Sequence, residues 1–167
     1  VSLGTSVDAT LAAVECADYV IAVVNKYVPR AFGQAMIHSS KIDFFVQDDT
    51  PLIEAKFSEP NEVETAIGKH CAALIEDGAT LQMGIGAIPN AVLSQLGGQK
   101  NLGIHTEMFA DSVLPLVEKG VINGEAKKTD PGKMVSTFLM GSKAVYDFID
   151  DNPGVLMMDV GYTNDPY

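Results

Sequence analysis

Two short segments contain the residues of this chain that are best suited to chemistry. Glu107 lies in LGIHTEMFAD (102–111), at the end of a short apolar run, and LQMGIGAIPN (81–90) carries a glycine loop between two patterned segments. A carboxylate can act as a nucleophile or a general base. Backbone N–H groups at a helix start favour a phosphate or a developing oxyanion. The two segments together would suit carboxylate chemistry beside an anion-binding loop.

Each segment also has a plain structural interpretation. In this interpretation the glycines only reverse the chain in a tight turn between a strand and a helix. The alternative is that Gly86 and Ala87 direct their N–H groups at a ligand. The loop lacks the third glycine of a dinucleotide fingerprint and the G-K-[ST] of a P-loop. Glu107 could be a cap or a solvated side chain. No second carboxylate is placed for a glycosidase, and no G-x-S-x-G elbow is present.

Composition limits the possible partners. The chain has 167 residues, is 47% hydrophobic and carries a formal charge of −11, which disfavours nucleic acid and anionic membrane surfaces as partners. It contains neither an apolar run long enough to span a membrane nor a signal-peptide pattern at its start. Cys16 and Cys71 are predicted to be buried free thiols, which favours a cytoplasmic location. His38, His70 and His105 have no ligand spacing, so no metal is expected.

Hydrophobic periodicity predicts alternating helices and strands. Helices are predicted over 8–17, 61–78, 88–98, 108–120 and 142–152, and strands over 19–25, 41–47, 79–84, 101–107, 134–141 and 154–160. This alternation indicates an α/β fold with a mostly parallel sheet. Loops that follow parallel strands then lie at one edge, so the glycine loop and Glu107 should both be at the carboxyl edge. Residues 48–60, rich in Asp, Glu and Pro, are the candidate linker.

Several local features carry more specific predictions. The run 19–25 is apolar and β-branched, as in a strand buried on both faces. Asp8 is expected to cap the first helix, and Pro89 to occupy the first position of its helix. Asn61 and Glu64 fit a capping box, and Gly78 fits a C′ residue. The predicted buried face of the second helix consists of Val63, Ile67, Cys71, Leu74 and Ile75.

Five segments then carry a resemblance to a known family. They are DGATLQMGIGAIPNAVL (77–93), LGIHTEMFAD (102–111), GVINGEAK (120–127), GKMVSTFLMGS (132–142) and YDFIDDNP (146–153). Together with VIAVVNKYVPRAFG (20–33) and IHSSKIDFFVQDDTPL (37–52), they resemble the acetyl-CoA hydrolase/transferase family, and most closely its 4-hydroxybutyrate and butyrate:acetate CoA-transferases. The resemblance runs in order through nearly the whole chain.

The resemblance implies a CoA-transferase-type (NagB/RpiA/CoA-transferase-like) parallel sheet flanked by helices. Members have two related α/β domains and more residues than this chain, which resembles only their middle. Residues 1–56 would be the C-terminal part of the first domain, and residues 57–167 the N-terminal part of the second. The chain is therefore expected to be a fragment.

The resemblance also implies roles for individual residues. Glu107 corresponds to the catalytic glutamate, which would form a glutamyl anhydride and then a glutamyl-CoA thioester. The residues implied to bind the oxyanion or CoA are Gly84, Gly86, Ala87, Ile88 and Pro89. The residues that match a family loop near the active site are Asn25, Pro29, Arg30 and Gly33. Ser112 departs from the family's Asp-Gly after the catalytic segment, which requires a backbone that avoids positive φ.

The implied substrates are an acyl-CoA and a short-chain carboxylate such as acetate, butyrate or 4-hydroxybutyrate. Coenzyme A takes part as a substrate, and no metal is implied. Lys100, Lys133 and Lys143 are candidates for contact with the CoA phosphates. The full-length enzyme is expected to be a homo-oligomer. Two alternatives remain: an acyl-CoA hydrolase that uses the same glutamate, and a catalytically inert α/β fragment.

Overall fold

The structure is a computed structural model, and it describes residues 1–166. The helices are Thr10–Cys16 (α1), Glu62–Ala72 (α2), Ala87–Leu93 (α3), Leu114–Glu118 (α4), Lys143–Ile149 (α5) and Val160–Thr163 (α6), with 3₁₀ turns at Ser39–Lys41 and Asp111–Val113. The strands are Ile21–Val24 (β1), Phe32–Gly33 (β2), Phe44–Gln47 (β3), Thr80–Leu81 (β4), Gly103–Ile104 (β5), Met108–Phe109 (β6), Met134–Ser136 (β7), Phe138–Leu139 (β8) and Val155–Met157 (β9).

The strands pair in parallel, as the alternating pattern predicts. The pairs are β1–β3, β2–β9, β7–β9, β4–β5 and β6–β8. A further parallel bridge between His105 and Val135 links the β4–β5 pair to β7. The sheet around the Glu107 segment therefore runs β4-β5-β7-β9-β2. The predicted α/β fold with parallel strands is confirmed.

The core lies around this sheet. Its largest fully buried side chains include Phe109, Leu93, Leu96, Leu102, Ile104, Ile149 and Met157. Both residues of β5 and all three residues of β7 are buried. Burial of both alternating sets of side chains is typical of a parallel strand inside an α/β domain. The strands that position the Glu107 segment thus belong to the buried core.

The β1–β3 pair differs from its prediction. The apolar run 19–25 predicts a strand buried on both faces, but Val23 is 61% exposed, and its neighbour strand leaves Phe44 56% exposed. Within residues 1–166 these two strands pair only with each other. The apolar pattern indicates that these side chains are suited to burial. No segment within residues 1–166 covers them.

Helix α2 confirms its predicted start but not its end or its face. The Glu64 amide donates to Asn61 Oδ1 at 3.0 Å and the Asn61 amide donates to Glu64 Oε2 at 2.8 Å, which completes the capping box. The helix ends at Ala72, so Gly78 is not its C′ residue. Gly78 instead has φ +79° and donates its amide to Lys100 O in the turn before β4.

The buried face of α2 is formed by small residues. Gly68 and Ala72 are buried, whereas Val63 is 68% exposed and Leu74 is 83% exposed. A Cβ atom on Gly68 would lie 2.7 Å from the carbonyl carbon of Ala91 in α3, so the two helices cross at close range. The larger apolar stripe therefore faces away from α3. The predicted face is wrong because periodicity does not show which stripe meets the neighbouring helix.

Other local predictions are also corrected. Ala9, not Asp8, holds the N-cap position of α1, because Asp8 has φ +36° and forms a parallel bridge with Asp159. Helix α3 begins at Ala87, so Pro89 is its third residue. The predicted helix 108–120 is a strand (β6), a 3₁₀ turn and the short helix α4. The predicted helix 88–98 ends at Leu93, and the strands are shorter than predicted. Cys16 and Cys71 are free but exposed.

Residues 48–60 contain no helix or strand, in line with a linker. The segments on either side of it are joined by the pairing of β2 with β9. The domain boundary at residue 56 stays a prediction. None of the helices within residues 1–166 combines the length and hydropathy needed to cross a membrane.

Candidate active site

The main chain of Glu107 is held from one side by a single segment. Its carbonyl oxygen accepts hydrogen bonds from the Thr137 amide at 3.0 Å and the Phe138 amide at 3.1 Å. The hydroxyl groups of Thr137 and Ser136 lie within hydrogen-bond distance of the same oxygen, at 2.9 and 3.1 Å. Thr137 and Ser136 are fully buried, whereas Glu107 itself is exposed. A fixed backbone therefore presents an exposed carboxylate.

These contacts also explain a break in the predicted strand 134–141. Thr137 separates β7 from β8, because the amides of Thr137 and Phe138 both turn toward the Glu107 carbonyl. β7 then pairs with β9, and β8 pairs with β6, which begins immediately after Glu107. Glu107 thus lies between β5, which is linked to β7 through His105, and β6, which pairs with β8.

The glycine loop lies beside this segment. β4 and β5 are adjacent parallel strands, and the His105 amide donates to Leu81 O at 3.0 Å. The loop follows β4 and Glu107 follows β5, so both leave the sheet at the carboxyl ends of neighbouring strands. This arrangement is the one that parallel topology predicts.

Thr106 joins the two segments directly. Its side-chain oxygen accepts the Met83 amide at 2.8 Å and lies 3.0 Å from Met108 O and 3.3 Å from Met83 O. Thr106 is only 1% exposed. Met83 immediately precedes Gly84, and Thr106 immediately precedes Glu107. One buried hydroxyl therefore ties the start of the glycine loop to the glutamate segment.

The glycine loop depends on one unusual backbone conformation. Gly86, the N-cap of α3, has φ +119° and ψ −172°, a region that is essentially restricted to glycine. A Cβ atom at this position would meet nothing within 4 Å, so the backbone angle and not space requires glycine. No side chain caps α3. Pro89 has no N–H, so Ala87 and Ile88 provide the amides of the first turn.

A groove of about 740 Å³ opens beside the loop. Phe57, Asn90 and Ser112 line both this groove and a small pocket against Gly84 and Gly86. A groove of this volume is within the range of ligand sites.

The lysines at the groove differ from Lys100, Lys133 and Lys143, whose contact with the CoA phosphates stays a prediction. Lys56 and Lys119 line the groove. Lys133 donates instead to Pro153 O at 2.7 Å, and Lys143 pairs with Asp147 in its own helix.

Helix α6 also lies close to Glu107. Asn164, at its C-cap, places Nδ2 3.5 Å from Glu107 Oε2. His105 Nε2 donates to Thr163 O at 3.2 Å. The rings of His105 and Tyr162 are stacked, with their centroids 6.1 Å apart. These contacts hold α6 against the segment that carries Glu107.

Two ionisable groups near the Glu107 segment have shifted pKa values. Lys127 is 5% exposed and its Nζ donates to Ile104 O at 3.0 Å and Lys133 O at 2.7 Å. Burial lowers the pKa of Lys127, and attraction to Asp130 opposes that shift in part. Tyr162 donates its hydroxyl to Asp130 Oδ2 at 2.7 Å, and this hydrogen bond raises the pKa of Tyr162.

Comparison with known proteins identifies close relatives. The chain is 54% identical to the 4-hydroxybutyrate coenzyme A transferase of Clostridium kluyveri over 165 residues, which cover 99% of the chain and 38% of that protein. It is 49% identical to the succinyl-CoA:acetate/propanoyl-CoA:succinate CoA transferase of Fasciola hepatica, over 99% of the chain and 35% of that protein. The chain is homologous to these CoA-transferases. The resemblance seen in the sequence is confirmed.

A solved structure agrees with this relationship. The crystal structure of 4-hydroxybutyrate CoA-transferase from Porphyromonas gingivalis matches the chain with a TM-score of 0.94 at 47% identity, covering 99% of the chain and 42% of that structure. No family profile matches the chain. The chain thus spans well under half the length of the CoA-transferases that it matches.

The remaining residues suggested by the CoA-transferase resemblance contact segments other than the one that carries Glu107. Asn25 Nδ2 donates to Thr50 O at 2.7 Å. Arg30 pairs with Asp151 at 2.5 Å. Gly33 has φ +86° and lies against Met157 in β9, and Pro29 accepts a hydrogen bond from Ser2.

The serine that departs from the CoA-transferase pattern is compatible with the backbone. Ser112 lies in the 3₁₀ turn Asp111–Val113 and is not among the positive-φ residues. Asp111 instead holds the start of α5, since its carboxylate accepts the Ser142 amide at 2.8 Å and a short hydrogen bond from the Ser142 hydroxyl. A group of three or more metal-ligating side chains is not found within residues 1–166.

Sequence reasoning missed four residues around Glu107. Thr106, Ser136 and Thr137 were not singled out as site residues, although Ser136 and Thr137 are hydroxyl residues in an otherwise apolar run. Such residues need hydrogen-bond partners, which is a usable signal. Asn164 carried no signal of this kind, because only folding brings it to the glutamate, 57 residues away.

Proposed function

We propose that this chain carries the catalytic glutamate of a CoA-transferase that exchanges CoA between an acyl-CoA and a short-chain carboxylate. One observation supports this most directly: the carboxylate of Glu107 is exposed while its main chain is fixed beside the glycine loop. The names of the relatives, which include 4-hydroxybutyrate and succinyl-CoA:acetate CoA transferases, supply the substrate class.

The reaction divides into two exchanges on Glu107. In the first, the carboxylate attacks the thioester carbonyl, and CoA thiolate leaves as a mixed anhydride forms. The thiolate then attacks the glutamyl carbonyl, which releases the donor acid and leaves a glutamyl-CoA thioester. In the second exchange, the acceptor carboxylate attacks this thioester, and the thiolate then attacks the acceptor's acyl carbonyl. The new acyl-CoA leaves and Glu107 regains its carboxylate.

The surrounding groups fit the charges that this sequence develops. Each attack places negative charge on a carbonyl oxygen. The amides of Gly86, Ala87 and Ile88 are the donors that we assign to that oxygen, and one such donor typically contributes about 3–4 kcal/mol to the transition state. The Asn164 amide lies close enough to orient the carboxylate itself.

CoA enters this proposal as a substrate, and the groove provides space for its long arm next to the glycine loop. Binding energy from that arm can offset the cost of distorting the thioester end of the substrate toward the transition state. Lys56 and Lys119 offer local positive charge in a chain of net charge −11. The cytoplasmic location, predicted from the free cysteines, and the homo-oligomeric state of the complete enzyme, implied by the resemblance, remain predictions.

The test compares the complete polypeptide that carries this sequence with its Glu107→Gln variant. Both are incubated with butyryl-CoA, with and without acetate, and acetyl-CoA and free CoA are separated by chromatography. We expect acetyl-CoA only when acetate is present, and loss of at least a thousandfold in turnover for Glu107→Gln. Unchanged turnover in the variant would exclude Glu107 as the nucleophile.

The same experiment separates the alternatives. Free CoA that appears without acetate, and depends on Glu107, would indicate the hydrolase. Activity in the complete polypeptide but not in the 167-residue chain would indicate that the chain alone is an inert fragment.

A further inference from the structure

Hydrogen bonding along β4 changes from backbone partners on β5 to a side-chain partner at the point where the glycine loop begins. The Gly103 amide donates to Ala79 O and the His105 amide donates to Leu81 O, as in an ordinary parallel pair. The next amide along β4, that of Met83, donates to the side chain of Thr106 at 2.8 Å. The side chain of Thr106 thus takes over where backbone pairing ends.

This hydroxyl has a full set of partners. Its oxygen accepts from Met83, and its single hydrogen is directed toward Met108 O at 3.0 Å, with Met83 O next nearest at 3.3 Å. Thr106 is 1% exposed, so water cannot replace these partners. Its own amide donates to Val135 O at 3.0 Å, which anchors it to β7.

The position of Thr106 links the two halves of the site. Gly84 follows Met83 directly, and Glu107 lies between Thr106 and Met108. A shift of the hydroxyl therefore changes the distance between the amides of the glycine loop and the carboxylate of Glu107. We propose that Thr106 is a positioning residue that sets this distance through its hydroxyl group, an inference that rests on the proposed function of Glu107.

The proposal predicts a specific kinetic signature. Removal of the hydroxyl leaves the groove intact, so the KM for CoA substrates should stay within about twofold. The chemical step should slow, because a misplacement of about 1 Å at a reacting centre can cost on the order of a hundredfold in rate. A merely structural role would lower stability without separating kcat from KM.

The experiment uses Thr106→Val and Thr106→Ser in the complete polypeptide. Valine keeps the shape and removes the hydroxyl, whereas serine keeps the hydroxyl. We expect Thr106→Val to lower kcat by about 10- to 100-fold at unchanged KM, and Thr106→Ser to remain within about threefold of the unmodified protein. Borohydride reduction of the glutamyl thioester, followed by mass spectrometry, measures how much intermediate forms.

A matched control is Thr65→Val on α2. This change also removes one hydroxyl hydrogen bond, from Thr65 to Asn61 O at 2.8 Å, but in α2, which carries none of the proposed site residues. It should lower the urea midpoint while kcat stays unchanged. If Thr106→Val does not fold, Thr106→Cys is used, and its weaker hydrogen bonding should give an intermediate kcat.

Three results would overturn the proposal. They are kcat within threefold for Thr106→Val, a rise in KM at constant kcat, and Thr106→Ser as slow as Thr106→Val. If Glu107→Gln abolishes turnover while Thr106→Val does not slow it, the proposed function stands and the positioning role is wrong. If Glu107→Gln retains turnover, both proposals fail together.

Discussion

Substitution of Gly68 by alanine tests how closely α2 and α3 pack. A Cβ atom there would lie 2.7 Å from the Ala91 carbonyl carbon, 2.8 Å from its Cβ and 2.9 Å from its oxygen. Ordinary van der Waals contact begins at 3.4 Å, so the helices must separate by about 0.7 Å. The obstructing atoms are mostly backbone, which cannot rotate away as a flexible side chain can.

The energetic effect has two parts. Overpacking of this kind costs about 1–3 kcal/mol, and replacement of glycine by alanine inside a helix returns about 1 kcal/mol. Because backbone must move, we expect the upper part of the overpacking range and a net loss of about 1–2 kcal/mol in the free energy of unfolding. The first turn of α3 carries the proposed oxyanion donors, so its displacement should also lower kcat by about tenfold.

The assay is urea denaturation of the protein, Gly68→Ala and Gly98→Ala, combined with turnover measurements. Gly98 is the matched control, since a Cβ there meets nothing within 4 Å and its φ is not positive. Gly98→Ala should stay within about 0.5 kcal/mol of the unmodified protein. If Gly68→Ala proves as stable and as active as Gly98→Ala, the close crossing of α2 and α3 described above is incorrect.

Three further predictions concern the capping box and the shifted pKa values of Lys127 and Tyr162. Asn61→Ala should lower the free energy of unfolding by about 1 kcal/mol in urea denaturation, because α2 loses its N-cap; an unchanged midpoint would contradict the capping box. Since burial lowers the pKa of Lys127 in the folded state, the unfolded chain binds that proton more tightly. Stability should therefore rise with pH from the lowered pKa up to about 10.4 and then level off. Urea midpoints across this window should show the rise in the unmodified protein and not in Lys127→Met, and an identical profile in both would refute it. Asp130→Asn should return the pKa of Tyr162 toward its ordinary value, as followed by phenolate absorbance, with Tyr162→Phe as the blank; a pKa that does not move would exclude Asp130 as the cause.

The sequence predicts the order and type of most elements, and it predicts the Asn61–Glu64 capping box. These features depend on local patterns that the fold retains. It does not predict that Met108 and Phe109 form a strand, because their apolar character fits a buried helix equally well. It also predicts the wrong face for α2, since the close contact of Gly68 with Ala91 is invisible until both helices are placed.

The candidate site divides in the same way. Glu107 and the glycine loop can be found from residue types and from parallel topology, because loops after parallel strands share one edge. The groups that hold Glu107 and the glycine loop in place cannot be found in this way. Ser136 and Thr137 reach the Glu107 carbonyl only because strand pairing is exchanged at that point, and Asn164 arrives from a helix 57 residues further along.

The exposed β1–β3 pair has a practical consequence for handling the 167-residue chain. Both strands are four residues long, rich in β-branched or aromatic side chains, free of proline and without charged residues. Unpaired strand edges with these properties are templates for intermolecular pairing. We expect copies of the isolated chain to associate first through this pair, so that lysine placed at Val23 or Phe44 would improve its solubility without touching the Glu107 segment.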